Sequence, residues 1–387
     1  MKRNEKRCKG RRDSVFILKL LIICSILLVV SMNNATIMGD GFFIIDEVNS
    51  ILINEGEPGT VLCIQDDFLY LYDVKGSSRI IQIIDVQQPE SPIVVGSYEL
   101  DGWLLDFKIS ENIAYMLLEL GIFSLEKYFI ALVNITDLTN PVRVGSSALA
   151  DPYLFGVNYT EVLSVYNNYA YVSGLDKLVI FDCNNLTLPV MVASYTSTGG
   201  DLHIKDDFLY VVWNGVTIYS LADPVHPFWY GEIESTKHNP TGSGMYGNYV
   251  INAFQDSGIQ VFNCTDPMQP TICGDYSFPQ WKLDIEGNIQ DMEIVEDRVF
   301  AGGNELYVFD ISKPQNLKMI AQVNVGDQNF SRITVANNYL YLTFPSNIRI
   351  YSYVENSLGR NFGLGIGIGL PIVIGATILI RRRKKRS

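Results

Sequence analysis

Along most of the chain apolar residues alternate with polar ones at a period of two, the mark of half-buried β-strands. One pattern recurs seven times: a two-residue polar turn followed by an alternating, usually aromatic strand. The copies are Asp66-Asp67-Phe68-Leu69-Tyr70, Glu111-Asn112-Ile113-Ala114-Tyr115, Asn167-Asn168-Tyr169-Ala170-Tyr171, Asp206-Asp207-Phe208-Leu209-Tyr210, Gly247-Asn248-Tyr249-Val250-Ile251, Glu296-Asp297-Arg298-Val299-Phe300 and Asn337-Asn338-Tyr339-Leu340-Tyr341. Each reads as a hairpin turn leading into a strand.

A second signature follows the first six copies: a strand ending in a polar residue, then a proline turn, then another strand. Asp85 leads to Pro92, Asn134 to Pro141, Asp182 to Pro189, Ser220 to Pro227 and Asn263 to Pro270, always seven positions on, and Asp310 leads to Leu317 with Pro314 in the turn. Proline lacks a backbone donor and belongs at turns and sheet edges. Four antiparallel strands per repeat, recurring radially, predict an all-β fold: a seven-bladed β-propeller over residues 50–354. The seventh copy lacks a fourth strand. Ser50-Ile51-Leu52-Ile53-Asn54 stands where an outer strand would precede blade one, so it is expected to complete blade seven and close the ring.

The two ends break this pattern. Lys2, Arg3, Lys6, Arg7, Lys9, Arg11 and Arg12 precede an apolar run from Val15 to Met32. That order over residues 1–35 reads as an export signal, either cleaved or kept as an anchor helix. After a linker over 355–361, the uncharged stretch 362–380 is long enough to cross a bilayer as a helix, and the basic tail 381–387 then marks the cytoplasmic side. Gly363, Gly365, Gly367 and Gly369 give the span the small-residue spacing that lets membrane helices approach one another. The reading is a cell-membrane protein with its propeller outside.

Charge sharpens this picture. The chain has 29 basic and 42 acidic residues, and between Ser31 and Gly359 the count is 14 against 40, a net −26. A surface this anionic repels phosphate, which excludes nucleic acid as a partner. Asn-x-Ser/Thr acceptors at Asn134, Asn158, Asn185, Asn263 and Asn329 agree with an outside location. Cys264 and Cys273 flank the turn Asp266 to Pro270, which suggests a disulfide across a hairpin. The competing reading puts Cys183 and Cys264 in a buried column with Val86, Ile135, Leu221 and Ile311.

Segments such as Asn338-Tyr339-Leu340-Tyr341, Leu306-Tyr307-Val308-Phe309-Asp310-Ile311-Ser312 and Pro92-Ile93-Val94-Val95-Gly96-Ser97-Tyr98 resemble the LVIVD-repeat family. The resemblance runs over about residues 57 to 353, with blades two and five degenerate. It implies a secreted or surface-attached propeller and adds little chemistry.

Candidate chemistry is sparse. Asp106, Asp201 and Asp291 each lie seven positions before the aromatic strand of blades two, four and six. Three carboxylates round one opening suit a hard cation such as calcium, the one cofactor the sequence suggests; alternatively each accepts a backbone hydrogen bond, and Arg332 pairs with Asp291 across a blade seam. His203, His226 and His238 lack ligand spacing and read as surface or strand residues, and no nucleophile with its base and no cofactor cradle appears. A non-catalytic binding or adhesion protein that recognises a protein or glycan is therefore expected. A structural part of the cell envelope and a propeller-based enzyme are the alternatives; oligomeric state is left open. The longest connections fall between second and third strands and between blades, and these emerge on one face. They carry Phe123, Tyr128, Tyr153, Phe155 and Trp281, with Trp103 and Phe330 beside them. Trp103, Tyr153, Phe155 and Trp281 are the candidate recognition residues, the alternative being that such aromatics only pin their loops.

Overall fold

The computed structural model describes residues 35–38, 41–52, 60–121, 127–148, 162–174, 176–197, 199–278, 289–325 and 329–357. Among them are twenty-nine strands and no α-helix, and no helix long and apolar enough to cross a membrane. The signal or anchor segment up to Asn34, the span 362–380 and the basic tail lie outside the described residues. Two compact units divide the chain: Met1–Ile44 with Val354–Ser387, and Ile45–Tyr353. Within the first, β1 (Ala35–Met38) pairs antiparallel with the opening residues of β2 (Gly41–Leu52).

The second unit is the ring. Blade one is β3 (Thr60–Gln65), β4 (Phe68–Lys75), β5 (Ser78–Asp85) and β6 (Ile93–Leu100). Blade two is β7 (Trp103–Ser110), β8 (Ile113–Leu120), β9 (Lys127–Asn134) and β10 (Val142–Ser146); blade three is β11 (Val162–Tyr166), β12 (Tyr169–Ser173), β13 (Lys177–Asp182) and β14 (Val190–Thr196). Blade four follows with β15 (Asp201–Lys205), β16 (Phe208–Val212), β17 (Gly215–Ser220) and β18 (Phe228–Glu234), and blade five with β19 (Pro240–Tyr246), β20 (Tyr249–Phe254), β21 (Gly258–Asn263) and β22 (Thr271–Tyr276). Blade six is β23 (Ile289–Val295), β24 (Arg298–Gly303), β25 (Glu305–Asp310) and β26 (Lys318–Asn324). Blade seven is β27 (Arg332–Ala336), β28 (Tyr339–Thr343) and β29 (Asn347–Ser357), with β2 alongside β29 as its fourth strand. The innermost strands β3, β7, β11, β15, β19, β23 and β27 each touch the next, and β27 touches β3. The seven-bladed propeller of four-stranded antiparallel blades is thus what the chain forms.

The repeated turns do what their residues allow. Asp66-Asp67, Asn167-Asn168, Asp206-Asp207 and Asn337-Asn338 all hold two consecutive positive φ angles, between 49° and 65°. That is the backbone of a tight hairpin turn matching strand twist, and Asn and Asp tolerate it best after glycine. The polar column also has a local task. Asp85, Asn134, Asp182, Asn263 and Asp310 each accept, through Oδ1, the backbone N–H two residues on, at 2.8 to 3.0 Å, and Ser220 Oγ does so at 3.3 Å. The next residue then closes the hairpin beside it. Val86, Ile135, Cys183, Leu221, Cys264 and Ile311 donate their N–H to the carbonyls of Asp67, Asn112, Asn168, Asp207, Asn248 and Asp297, and all six side chains are buried.

The core lies between blades rather than inside any one of them. Tyr70 and Ile83 pack with Phe107 and Met116 between blades one and two, Leu132 with Leu163 and Val172 between two and three, and Ile251 and Val261 with Val299 and Phe309 between five and six. Each blade is therefore stable only in the company of its neighbours.

Two expectations need correction. The closing strand is β2, Gly41–Leu52, and begins well before Ser50. Ile45 is buried, Val48 and Ile51 pack against Leu69, Ile84, Tyr341 and Ile350, and Ser352 Oγ donates to the Asp46 carbonyl at 3.4 Å. The ring therefore starts at Ile45 rather than residue 50. Cys264 and Cys273 are both free thiols. The hairpin ladder begins at Asn263↔Thr271, which leaves Cys264 beyond its end, and Cys273 is the extra residue of a β-bulge. Cys264 packs with Tyr210 and Val250 on one side of blade five, while Cys273 packs on the other.

Candidate functional site

Position along the innermost strand decides what faces the axis. Leu163, Leu202, Met292 and Ile333 point into the seams and are buried. The alternate positions are polar: Asp106 and Lys108 on β7, Asp201 and His203 on β15, Asp291 and Glu293 on β23. Side chains of non-adjacent blades feel one another there. Cys63 senses the charges of Lys108, Asp106 and Glu293, and Asp291 senses Asp201. Only groups converging on the ring axis can do so.

The carboxylates are already engaged. Asp106 accepts the N–H of Phe107 and, across the seam to blade three, that of Leu163, both at 2.7 Å. Asp291 accepts the Ile333 N–H at 2.9 Å and Glu293 the Val335 N–H at 2.8 Å, both across the seam to blade seven. Ser243 Oγ donates to Asp201 Oδ2 at 2.8 Å, which leaves its lone pair for His203 Nε2–H at 2.7 Å. Of the two readings of these aspartates, the backbone acceptor is what Asp106 and Asp291 display. No group of three or more metal-ligating side chains is found among the described residues, and among them no ion pair joins Arg332 to Asp291, although the guanidinium charge pulls that carboxyl downward.

Burial sets the protonation here. It pushes Glu293 up to about 8, with the Val335 hydrogen bond opposing and Asp291 adding to the rise. It lifts Asp291 to about 6 against the pull of Arg332. Burial holds His203 below the usual imidazole range, against the Asp201 carboxylate. Burial likewise drives the Cys63 thiol up to about 12, too high for a nucleophilic thiolate. At neutral pH the axis therefore holds a neutral imidazole at His203 and a protonated carboxyl at Glu293.

Of the candidate recognition aromatics, Trp103 opens β7 at 36% exposure and stacks under the Arg79 guanidinium, 3.8 Å from its ring centroid. Tyr153, Phe155, Trp281 and Phe123 lie outside the described residues, as does Asn158. Tyr128 and Phe330 are buried, so for these two the packing role holds. Trp213, at the end of β16 on the same face as Trp103, is 36% exposed and was not singled out by the repeat pattern. Asn134, Asn185 and Asn263 use Oδ1 in local turns, Asn185 accepting both the N–H and the Oγ1–H of Thr187; Asn185 and Asn329 are exposed.

Sequence reasoning missed Lys108, Ser243 and Glu293 as axial groups. The column of Lys108 and Glu293 reads Cys63, Lys108, Ser164, His203, Gly244, Glu293 and Thr334, different in every blade, and Ser243 stands one position before it, so no repeat signature marks these groups.

These features define a seven-bladed propeller whose blades are joined through the axis. Two of its repeats match the model of the LVIVD repeat, over residues 159–197 and 286–325, which enclose blades three and six. No curated protein matches the chain. Among solved structures, the crystal structure of the computationally designed Ika8 protein is similar at a TM-score of 0.53 and 10% identity, over 79% of this chain and 99% of that one. That likeness concerns the fold alone.

Proposed function

We propose that this is a membrane-tethered binding propeller displayed outside the cell, recognising a protein or glycan without catalysis. The observation that carries the reading is the difference between the two faces of the ring. Turns joining first to second and third to fourth strands emerge on one face, where blades one to six repeat the same hydrogen-bonded connections at constant length. The opposite face receives the two longest connections, between β10 and β11 and between β22 and β23. Varied loops over a rigid scaffold are where recognition concentrates, and Tyr and Trp are favoured anchors. Asp106, Asp291 and Glu293 serve as backbone acceptors, which supports a scaffold rather than a reaction centre. Basic-then-apolar residues at the start and an apolar stretch with a basic tail at the end support the tether.

Two measurements test this. Protease added to intact cells is expected to degrade residues 40–355 and spare a tag after Ser387; a protected propeller overturns the topology. A glycan array and biotinylated surface proteins are expected to bind the wild type and not the variant with alanine at Trp103, Tyr153, Phe155 and Trp281, both melting alike. Binding unchanged by those substitutions removes this face from consideration.

A further inference from the structure

Each of blades one to six ends in an outermost strand with one unpaired edge, while the sheet of blade seven continues past β2 into β1; an open edge recruits other strands unless a charge or proline blunts it. Five of those six edges carry charge: Glu99 in β6, Arg143 in β10, Glu232 and Glu234 in β18, Asp275 in β22 and Lys318 in β26. β14 reads Val-Met-Val-Ala-Ser-Tyr-Thr and has none. A bulge twists the outermost strands of blades one to six alike, so charge is what sets β14 apart.

The same strand is unusually apolar on its outside. Leu188, just ahead of it, is 58% exposed, and Val190, Met191 and Val192 are 50%, 37% and 40% exposed. At the seam with blade four, the hydroxyls of Tyr171 and Tyr195 donate to the carbonyls of Pro224 and Val225. Phe228 and Trp229, which follow that loop, are 69% and 52% exposed. Elsewhere two copies of a body carrying a net −26 between Ser31 and Gly359 repel. Of those six strands, β14 is the one that brings no like charges together when two copies pair.

We propose that β14 pairs antiparallel with β14 of a second copy about a twofold axis, joining two four-stranded blades into one eight-stranded sheet. An uncharged strand is complementary to itself under that symmetry, and Phe228 and Trp229 supply flanking apolar cover. The pairing needs only the folded ring and does not rest on the tether or on the recognition face. The glycine spacing of the stretch 362–380 would bring copies together by a different route, so the test separates the two.

Full-length protein in detergent is measured by sedimentation, and single-cysteine variants at Val190, Val192 and Ser194 are mixed pairwise and oxidised. The expected result is a dimer whose cross-links form only for position pairs with one constant sum, as antiparallel register requires. Val192→Lys places lysine against an apolar partner strand near its own copy and is expected to halve the mass, while Val94→Lys on blade one leaves the dimer. Melting curves confirm that both variants fold. A monomeric wild type, a dimer indifferent to Val192→Lys, cross-links without register, or β14 occupied by a strand of another protein each overturns the proposal.

Discussion

At the scale of single residues, the axial acids show how a side chain can be structural and yet sensitive to solution conditions. Glu293 hydrogen-bonds to the Val335 N–H at 2.8 Å, and burial raises its carboxyl from 4.5 to about 8. A carboxyl whose folded pKa lies above its unfolded value binds its proton more tightly in the folded chain. Its contribution is fully present below pH 4.5 and lost as pH rises through about 8. Glutamine keeps an acceptor for Val335 and cannot ionise. Glu293→Gln is therefore expected to melt with the wild type near pH 4.5, to gain on it progressively as pH rises from 4.5 to about 8, and to keep a constant lead above that, read by thermal melts across that range. A constant offset at every pH would mean that Glu293 stays ionised in the folded protein.

At the scale of elements, the fourth strand explains the repeat's wording. Val95, Val144, Tyr230 and Cys273 are bulge residues, and the glycine after each sits where the next blade's turn comes closest. A Cβ on Gly96 would lie 1.9 Å from the Leu138 carbonyl oxygen, and one on Gly274 would lie 2.2 Å from that of Pro314. Glycine is needed there for closeness. At Gly76 the need is conformational: φ is +66° and a Cβ would meet nothing within 4 Å. Gly96→Ala is expected to cost about 2–3 kcal/mol through displaced backbone, and Gly76→Ala about 1 kcal/mol through φ alone. Denaturant titration distinguishes them, and equal costs would mean the seam relaxes freely. These elements were legible in the sequence because each repeats: polar turn, polar cap, proline. The Cys264–Cys273 pairing was misread because one bulged residue shifts the register, and spacing alone does not reveal a bulge. The axial column escaped notice for the opposite reason, since Lys108, His203 and Glu293 become neighbours only when the ring closes.

At the scale of the whole molecule, closure is the decisive event, because a ring of blades that bury their faces only against neighbours has no stable open form. Blade seven is built from both ends of the chain: β27, β28 and β29 come last, and β2 comes before blade one. Ile45 is 1% exposed, and Val48 and Ile51 join the core formed by Leu69, Leu71, Ile84, Tyr341 and Ile350. β2 thus bonds to the last blade through its backbone and packs toward the first through its side chains. Deleting Ile45–Leu52 would expose the edge of β29 and uncover that core. Several backbone hydrogen bonds at about 1 kcal/mol each, with three apolar side chains at about 1.5–3 kcal/mol each when fully buried, amount to most of a typical folding free energy. The shortened protein is expected to lose its cooperative melt near blade seven first, so that hydrogen exchange rises in β28 and β29 before β12 and β13. Replacing Ile45, Val48 and Ile51 by serine, with the strand kept, should give the same order of opening at a smaller loss. If exchange in β28 and β29 is unchanged by the deletion, blade seven stands on three strands and the ring does not depend on β2.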